Sequence, residues 1–474
     1  MKTDFVLGFK LVPLAAGLLA ALCSCATTSS SEKAKTTFKV PANWIQGGVG
    51  HGPLDTAALP AWWTRFNDPV LSELITRALH SSPDLRSALS RIAEYRARRG
   101  LENAGLFPSL GASVTGSRTR STDRSTHVTT TNEGFAAALD ASWQVDLFGR
   151  QRLALAAADA DLAQSQENYY GAEVSLAAAV AEAYVILRSA EAQLAVVQHS
   201  LVTRGETAQL TQWREQAGTG NALDTQQSLT ALELAHASIP SLQLTIAQTR
   251  NQLALLSGLV PGALDGLLAA PHDVPAAPAE LAVGIPAEIL RQRPDVRAAE
   301  RGLEAAFART ESARRQRLPA LNLSGSIGVE ALTAGKLFNP ATTVLSLLAG
   351  LTAPLFDAGR IRESIAIQHE LERQSLNTYE STVLIALGDV ENALVAVQRN
   401  TERLEILTRA TSAAREAATL AALQNQAGQV DLFVSLDAQR SLLDLEQQSV
   451  STTAGRATAF VQLYQALGGG WSPL

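Results

Sequence analysis

The chain is one plan written twice, and no other feature restricts its fold so strongly. Pro83-Asp84-Leu85-Arg86 recurs as Pro294-Asp295-Val296-Arg297, an offset of 294 minus 83, or 211. Phe107-Pro108-Ser109-Leu110 recurs as Leu318-Pro319-Ala320-Leu321 at the same offset. Gly149-Arg150 and Gln216-Ala217-Gly218 recur as Gly359-Arg360 and Gln426-Ala427-Gly428, both at 210. Short common words coincide by chance in an Ala- and Leu-rich chain. Four landmarks in one order at one spacing describe a duplication.

Both copies follow one order. A helical stretch comes first, 87–104 and 298–317, and a proline stops it because proline lacks the amide and clashes with the preceding turn. Two strand-like segments follow, expected at about 109–118 and 134–148, then at about 319–331 and 343–355. Phe135, Ala137, Leu139, Ala141, Trp143, Val145 and Leu147 are apolar at every second position, with Asp140, Ser142, Gln144 and Asp146 among the residues between. Period two describes a strand with one apolar and one wet face. Leu110, Ala112 and Val114 alternate with Ser113, Thr115 and Ser117. Leu321, Leu323, Ile327 and Val329 alternate with Asn322, Ser324, Ser326 and Glu330. In the last segment Leu345, Leu347, Ala349 and Leu351 oppose Ser346, Gly350 and Thr352, with Leu348 as the exception. Such lengths suit membrane-spanning strands of roughly 9–11 residues, and a soluble sandwich would show the same pattern. Polar, turn-rich connections at 118–134 and 333–342 favour the membrane.

Four strands cannot close a barrel, for which about eight are needed. An open edge in lipid leaves backbone groups unpaired, each costing several kcal/mol. If these strands span a bilayer, the chain has to oligomerise.

No proline lies between Pro108 and Pro240, or between Pro354 and Pro473. Apolar residues at three-and-four spacing, such as Leu176, Val180, Ala183, Leu187 and Leu194, predict a helix from Gln151 to about Thr203, about 80 Å long. A return helix is expected at about 221–256, and a second pair at 361–407 and 423–467. Helices of this length cannot bury themselves in a globule and must lie side by side as hairpins, here about 150–257 and 359–467. Gly218 and Gly428 fall near the far tips.

The beginning of the chain reads as a targeting segment. Lys2 and Lys10 flank an apolar stretch through Leu11, Leu14, Leu18 and Leu22 that is short for a membrane span. Leu22-Cys23-Ser24-Cys25 resembles a bacterial lipobox. That resemblance makes residues 1–24 a signal peptide, Cys25 the N-terminus carrying an N-acyl diacylglycerol lipid, and 25–60 a lipidated tether. A plain signal peptide is the alternative. Ala26, in place of Asp, favours sorting to the outer membrane. No cysteine follows Cys25, so later residues offer no disulfide and no thiolate metal site. Nor does a later run of 18 apolar residues mark a spanning helix, which leaves strands for any crossing.

Composition excludes other classes. Hydrophobic residues make up 46% of 474, yet aromatics are only 5%, which suits closely spaced helices. Lys and Arg number 39 against 45 acids, interspersed, which gives no nucleic-acid footprint. The seven histidines are scattered, and no metalloprotease, P-loop or nucleophile-elbow word is present. Asp389 and Glu391 read as surface charges on a helix. No catalysis, metal or cofactor is expected.

Further words now carry a resemblance. Trp62-Trp63-Thr64-Arg65-Phe66-Asn67-Asp68, the run Ala141–Arg150, Arg293-Pro294-Asp295-Val296-Arg297 and Pro354–Arg360 are similar to words of the outer-membrane factor (TolC-like) family. So are Leu436-Asp437-Ala438-Gln439-Arg440 and Ala466-Leu467-Gly468-Gly469-Gly470-Trp471. The likeness is to its NodT-type efflux lipoproteins and runs from about Pro41 to Trp471. It implies an α+β membrane protein: a homotrimer whose twelve-stranded transmembrane barrel, four strands per chain, continues into a long periplasmic helical barrel. The repeats then fall at 61–270 and 271–474. It implies a passive duct for small molecules in a tripartite pump, with a periplasmic adaptor (membrane fusion protein) and an inner-membrane transporter of resistance-nodulation-division type. Asp140, Gln144, Asp146 and Asn322 are expected to wet the lumen. Phe433 and Asp437, four apart, are expected at the periplasmic gate with Asp224 as a weaker counterpart. Gly218 and Gly428 are expected at the adaptor-docking tips. A coiled-coil core Phe and a solvated Asp are the plainer readings of the gate pair. Type I protein secretion, or a periplasmic coiled-coil structural or adaptor lipoprotein, are the alternative functions. The single Met argues against soft-metal cargo, since thioethers are the ligands of such ions.

Overall fold

Short proline-capped helices lead into strands, and strands into very long helices, in both copies. The computed structural model describes residues 39–45, 59–278, 286–337, 339 and 343–473. Cys25, the signal segment, most of the tether and part of the 333–342 loop lie outside the described residues. A 3₁₀ turn at Leu59–Phe66 opens the fold, then α1 (Pro69–Ser81) and α2 (Pro83–Ala104). Strands β1 (Ser109–Thr122) and β2 (Thr129–Val145) follow, then α3 (Arg150–Gln216), α4 (Ala222–Leu256) and the short α5 (Asp265–Leu268). The second copy supplies α6 (Pro286–Gln292), α7 (Pro294–Arg315), β3 (Ala320–Ala331), β4 (Thr343–Thr352), α8 (Arg360–Gln426) and α9 (Leu432–Ala466). Helices α2 and α7 have 22 residues each, α3 and α8 67 each, α4 and α9 35 each. The duplication is therefore kept residue for residue in the helices.

Helix starts follow local chemistry. Asp68 caps α1 by accepting from the amides of Val70 and Leu71 at 2.9 and 3.0 Å, with Pro69 at the first helical position. Proline also opens α2 and α7.

The long helices exceed the expected lengths. Helix α3 continues past Thr203, through Gly205, to Gln216, and spans about 100 Å at 1.5 Å per residue. Helix α8 likewise passes Leu407, so the return helix begins at Leu432 and not at Leu423. An isolated helical glycine costs only about 1 kcal/mol, too little to end so long a helix. The stops come at Gly218 and Gly428, where φ is 70° and 72°. There the Thr219 amide donates to Arg214 O at 2.9 Å, and the Gln429 amide to Gln424 O at 2.8 Å, closing the same left-handed cap.

The four strands form one antiparallel sheet in sequence order. Much of the expected loop 118–134 is ladder, since β1 pairs with β2 as far as Thr122 opposite Thr129. Threonine is β-branched and fits a pleated surface, so polarity alone misread the segment. The reversal is shorter, closed by the Asp123 amide donating to Val128 O at 2.9 Å. At the other end β2 stops at Val145 and not at 148, and β4 at Thr352, two residues before Pro354, and not at 355.

The core gathers where both ends of the described chain meet the middle of α3. Trp62, fully buried, stacks on Tyr464, and Tyr170 stacks on Trp471 with centroids 4.6 Å apart. The Gly470 amide donates to Leu59 O at 2.9 Å, with a φ of 103° that only glycine adopts freely. Helix α3 contains an 18-residue window of mean hydropathy 1.4, apolar enough to cross a bilayer, which a count of unbroken apolar runs overlooks. Most of that window is buried against other helices, so it serves the core.

Candidate channel wall and periplasmic gate

Register turns the alternation of four separate strands into two continuous faces. One row joins Val114, Ala137 and Val329; another joins Ala112, Leu139, Ile327 and Leu345; a third joins Trp143, Leu323 and Ala349. This face is apolar from Leu110–Val145 at one end to Gly116–Phe135 at the other, with Thr343, opposite Val329 at the start of β4, as the exception. Ten steps along β2 from Val145 to Phe135 cover about 33 Å, or about 25 Å of height at the usual barrel tilt. That matches the apolar band of a membrane barrel.

The opposite face is mostly small and polar, with Val344 and Leu348 of β4 as the exceptions. Gly111, Asp140, Ser326 and Ser346 stand in one row, with Ser113 diagonal to Asp140 on the same face. Ser113 Oγ donates to Asp140 Oδ2 at 2.7 Å, and the hydroxyls of Ser326 and Ser346 share a hydrogen bond at 2.7 Å. Asn322 and Gln144 pair on the same face. Asp146 does not belong to it. It lies beyond the strand, where its carboxylate accepts from the amides of Gln151 and Arg152 at 3.2 and 3.0 Å and so caps α3. Asp357 performs the same office for α8, accepting from Gly359 and Ile361 at 3.0 and 2.8 Å. Those amide bonds hold its carboxyl below the usual range. Gly149 and Gly359, with φ of 78° and 89°, make the turn from strand to helix. A concavity of about 400 Å³ at this junction includes Asp146, Arg150, Arg315 and Arg360.

Among the described residues β1 hydrogen-bonds only to β2, and β4 only to β3. Both outer edges of the sheet are open within one chain.

At the far ends of the hairpins, Phe433 is 64% exposed and Asp437 is exposed one turn later. Arg440, Asp444 and Gln448 continue the exposed stripe along α9, while Leu432 and Ser435 are buried on its other side. Phe433 is therefore not a core residue of its own hairpin. Asp224 is half-buried on the first turn of α4. The offset of 210 pairs Leu223 with Phe433, Asp224 with Val434 and Gln227 with Asp437. The first tip thus carries no acid at the position equivalent to Asp437. Gly218 and Gly428 stand clear, and a Cβ on either would meet no atom within 4 Å.

The family model for outer membrane efflux proteins matches residues 74–259 and again 285–469. The chain belongs to that family. The two matches start 285 minus 74, or 211, residues apart, so they coincide with the internal duplication. Among relatives of this outer membrane efflux protein is a Pseudomonas putida protein described as a probable efflux pump outer membrane protein, TtgC. It is 30% identical over 440 residues, covering 91% of this chain and 90% of the relative. The pyoverdine export outer membrane protein OpmQ of Pseudomonas putida is 31% identical over 471 residues, 97% of each chain. The solved outer-membrane channel OprN superposes with a TM-score of 0.87 at 31% identity, over 94% of this chain and all of that one. The protein is an outer-membrane efflux channel, its strands in the membrane and its long helices in the periplasm.

The words by which the family is recognised in the sequence are mostly architectural. Asp68 Oδ2 accepts from the Tyr184 hydroxyl at 2.9 Å. Arg293 reaches Ala466 O at 2.9 Å and the carboxylates of Asp295 and Asp389 at 2.7 and 3.0 Å, so Asp389 is an ion-pair partner and no idle surface charge. Fully buried Arg188 bonds Glu191 at 2.6 Å and Ala270 O at 3.1 Å, and Arg250 reaches the same glutamate at 2.9 Å. No motif marks this cluster. Arg188 and Glu191 are three residues apart, but the distance in sequence to Arg250 and Ala270 hides the cluster until the helices are placed.

Proposed function

We propose that three copies close a twelve-stranded barrel and a twelve-helix tunnel, forming the passive outer-membrane exit of a tripartite efflux pump. The observation that carries this reading is the two-faced, four-stranded sheet with both edges open. Lipid will not tolerate those edges; a second copy gives eight strands, and a third gives twelve. Four long helices per chain extend the same count into the periplasm. The lipid-anchored family branch favours three.

Work is supplied elsewhere, by an inner-membrane transporter of the resistance-nodulation-division type reached through a periplasmic adaptor at the tips near Gly218 and Gly428. Phe433 and Asp437 narrow the closed periplasmic end. The duct is not an enzyme. Cargo is a small molecule moved along a wall of hydroxyl, amide and carboxylate side chains that offers little for it to adhere to. The lipid on Cys25 holds the chain at the inner leaflet of the outer membrane.

The test is oligomeric mass together with single-channel conductance of the lipidated protein in planar bilayers. A trimer with a small, mostly closed pore is expected. A monomer that carries no current sinks the reading and leaves a structural or adaptor lipoprotein.

A further inference from the structure

Above its apolar band the sheet's outer face becomes basic, in one repeat only. The rows of that face run upward from Leu110 through Val114 and Gly116 to Arg118, opposite Glu133, and Arg120, opposite Thr131. Both arginines therefore share the side of Val114 and Phe135 and not that of Ser113 and Asp140. They stand at the turn end of β1, remote from the periplasmic helices, so they reach the outer leaflet. At the positions 211 residues later, Val329 and Ala331 keep the face apolar. The repeat does not require arginine there.

We propose that Arg118 and Arg120 bind a phosphate of the phosphorylated glycolipid that forms the outer leaflet. Charge complementarity carries this assignment. Arg120 has no carboxylate within ion-pairing range among the described residues, and Arg118 meets Glu133 at 3.4 Å with side chains 74% and 44% exposed. Such an exposed pair is loosely held, so the guanidinium is free to turn outward. Two positions apart on a strand, the arginines lie about 7 Å from each other, a spacing at which both reach one phosphate group. Arginine's planar fork matches phosphate geometry with two parallel hydrogen bonds. Phe135, in the last apolar row beneath them, would pack on acyl chains near the headgroup boundary, where aromatic side chains concentrate in membrane barrels. A closed trimer carries three such sites around its rim.

The test uses the purified full-length trimer in detergent, with rough lipopolysaccharide and its enzymatically dephosphorylated form as probes. Wild type should bind the phosphorylated probe about tenfold more tightly than the dephosphorylated one. Arg118→Ala/Arg120→Ala should lose that preference while keeping trimer mass. Arg118→Lys/Arg120→Lys should retain part of it. Equal affinity of wild type and the alanine variant for the phosphorylated probe overturns the proposal. So does equal competition by phosphatidylglycerol micelles, which would mark a general attraction to anionic lipid. An alanine variant that fails to trimerise is replaced by the lysine variant and by Arg120→Gln, whose preference must fall between wild type and none.

Discussion

Trp62 lies flat on Tyr464, ring centroids 5.1 Å apart and planes 13° from parallel, and this contact fastens the first turn of the fold to the last helix. Trp63 and Phe66 meet Trp62 edge-on at 5.8 and 6.0 Å, so four aromatic rings share one buried site. Aromatic pairs of this kind are worth about 0.5–1.5 kcal/mol beyond the area they bury. Trp62→Ala should therefore destabilise each protomer by about 3–5 kcal/mol, because a large void opens in a packed core. Thermal unfolding followed by circular dichroism is the check. A double-mutant cycle with Tyr464→Ala should return coupling of about 1 kcal/mol, and independent effects would remove the stack from the account.

The two-faced sheet makes a sharper prediction. Ile327 stands between Leu139 and Leu345 on the apolar face, and Ser326 between Asp140 and Ser346 on the polar one. Neighbours in sequence, they face opposite media. Ile327→Arg places a charge in the hydrocarbon at about 2–4 kcal/mol per protomer near mid-depth, and outer-membrane trimer should be lost. Ser326→Arg meets water and the Asp140 carboxylate, and trimer should persist. The measurement is heat-modifiable migration of outer-membrane fractions. Equal assembly of both variants would reverse or erase the assignment of faces.

At the periplasmic end, Phe433 and Asp437 share an exposed stripe of α9. If three such stripes converge, Phe433→Ala and Asp437→Ala should each raise single-channel conductance by about twofold or more, since a narrow charged or apolar ring limits flow. Asp224→Ala should do less, because the duplication aligns Asp224 with Val434. Unchanged conductance in the first two variants would keep the duct and move its constriction.

How much of this was legible in the residues depends on the range of the interaction. The period of two along each strand exposed the two faces before any pairing was known, because side-chain direction is local. Left-handed glycines at 218 and 428 marked the tips for the same reason. Helix ends at Thr203 and Leu407 misled, since a 67-residue helix is held by packing along its length and ignores a weak local residue. The Thr-rich rim of β1 and β2 hid as a loop because its partner strand supplies the order. Arg188 and Glu191, three apart on α3, gave no sign of a buried cluster, because Arg250 and the Ala270 carbonyl that complete it come from far along the chain.

Burial on α3 and α7 also reverses the usual response to acid. Glu167 is buried beside Arg297, which bonds it at 2.6 Å, and Glu173 is half-buried beside Tyr169. Desolvation pushes both carboxyls above the ordinary value of 4.5, against the opposing pull of Arg297 on Glu167 and of Tyr169 on Glu173. The same burial, with Glu173 nearby, pushes Tyr169 up to about 12. A carboxyl whose folded pKa is raised holds its proton more tightly when folded than when unfolded. Its contribution is full below the unfolded value and is lost as pH rises through the folded one. Glu173→Gln removes that loss, so the variant should gain in Tm at pH 7 relative to wild type and gain little at pH 4. Glu167→Gln should gain less, because it also gives up the charge-assisted bond to Arg297. Thermal melts of the trimer at the two pH values decide it: a Glu173→Gln shift of the same size at both would mean that packing, and not protonation, governs the site.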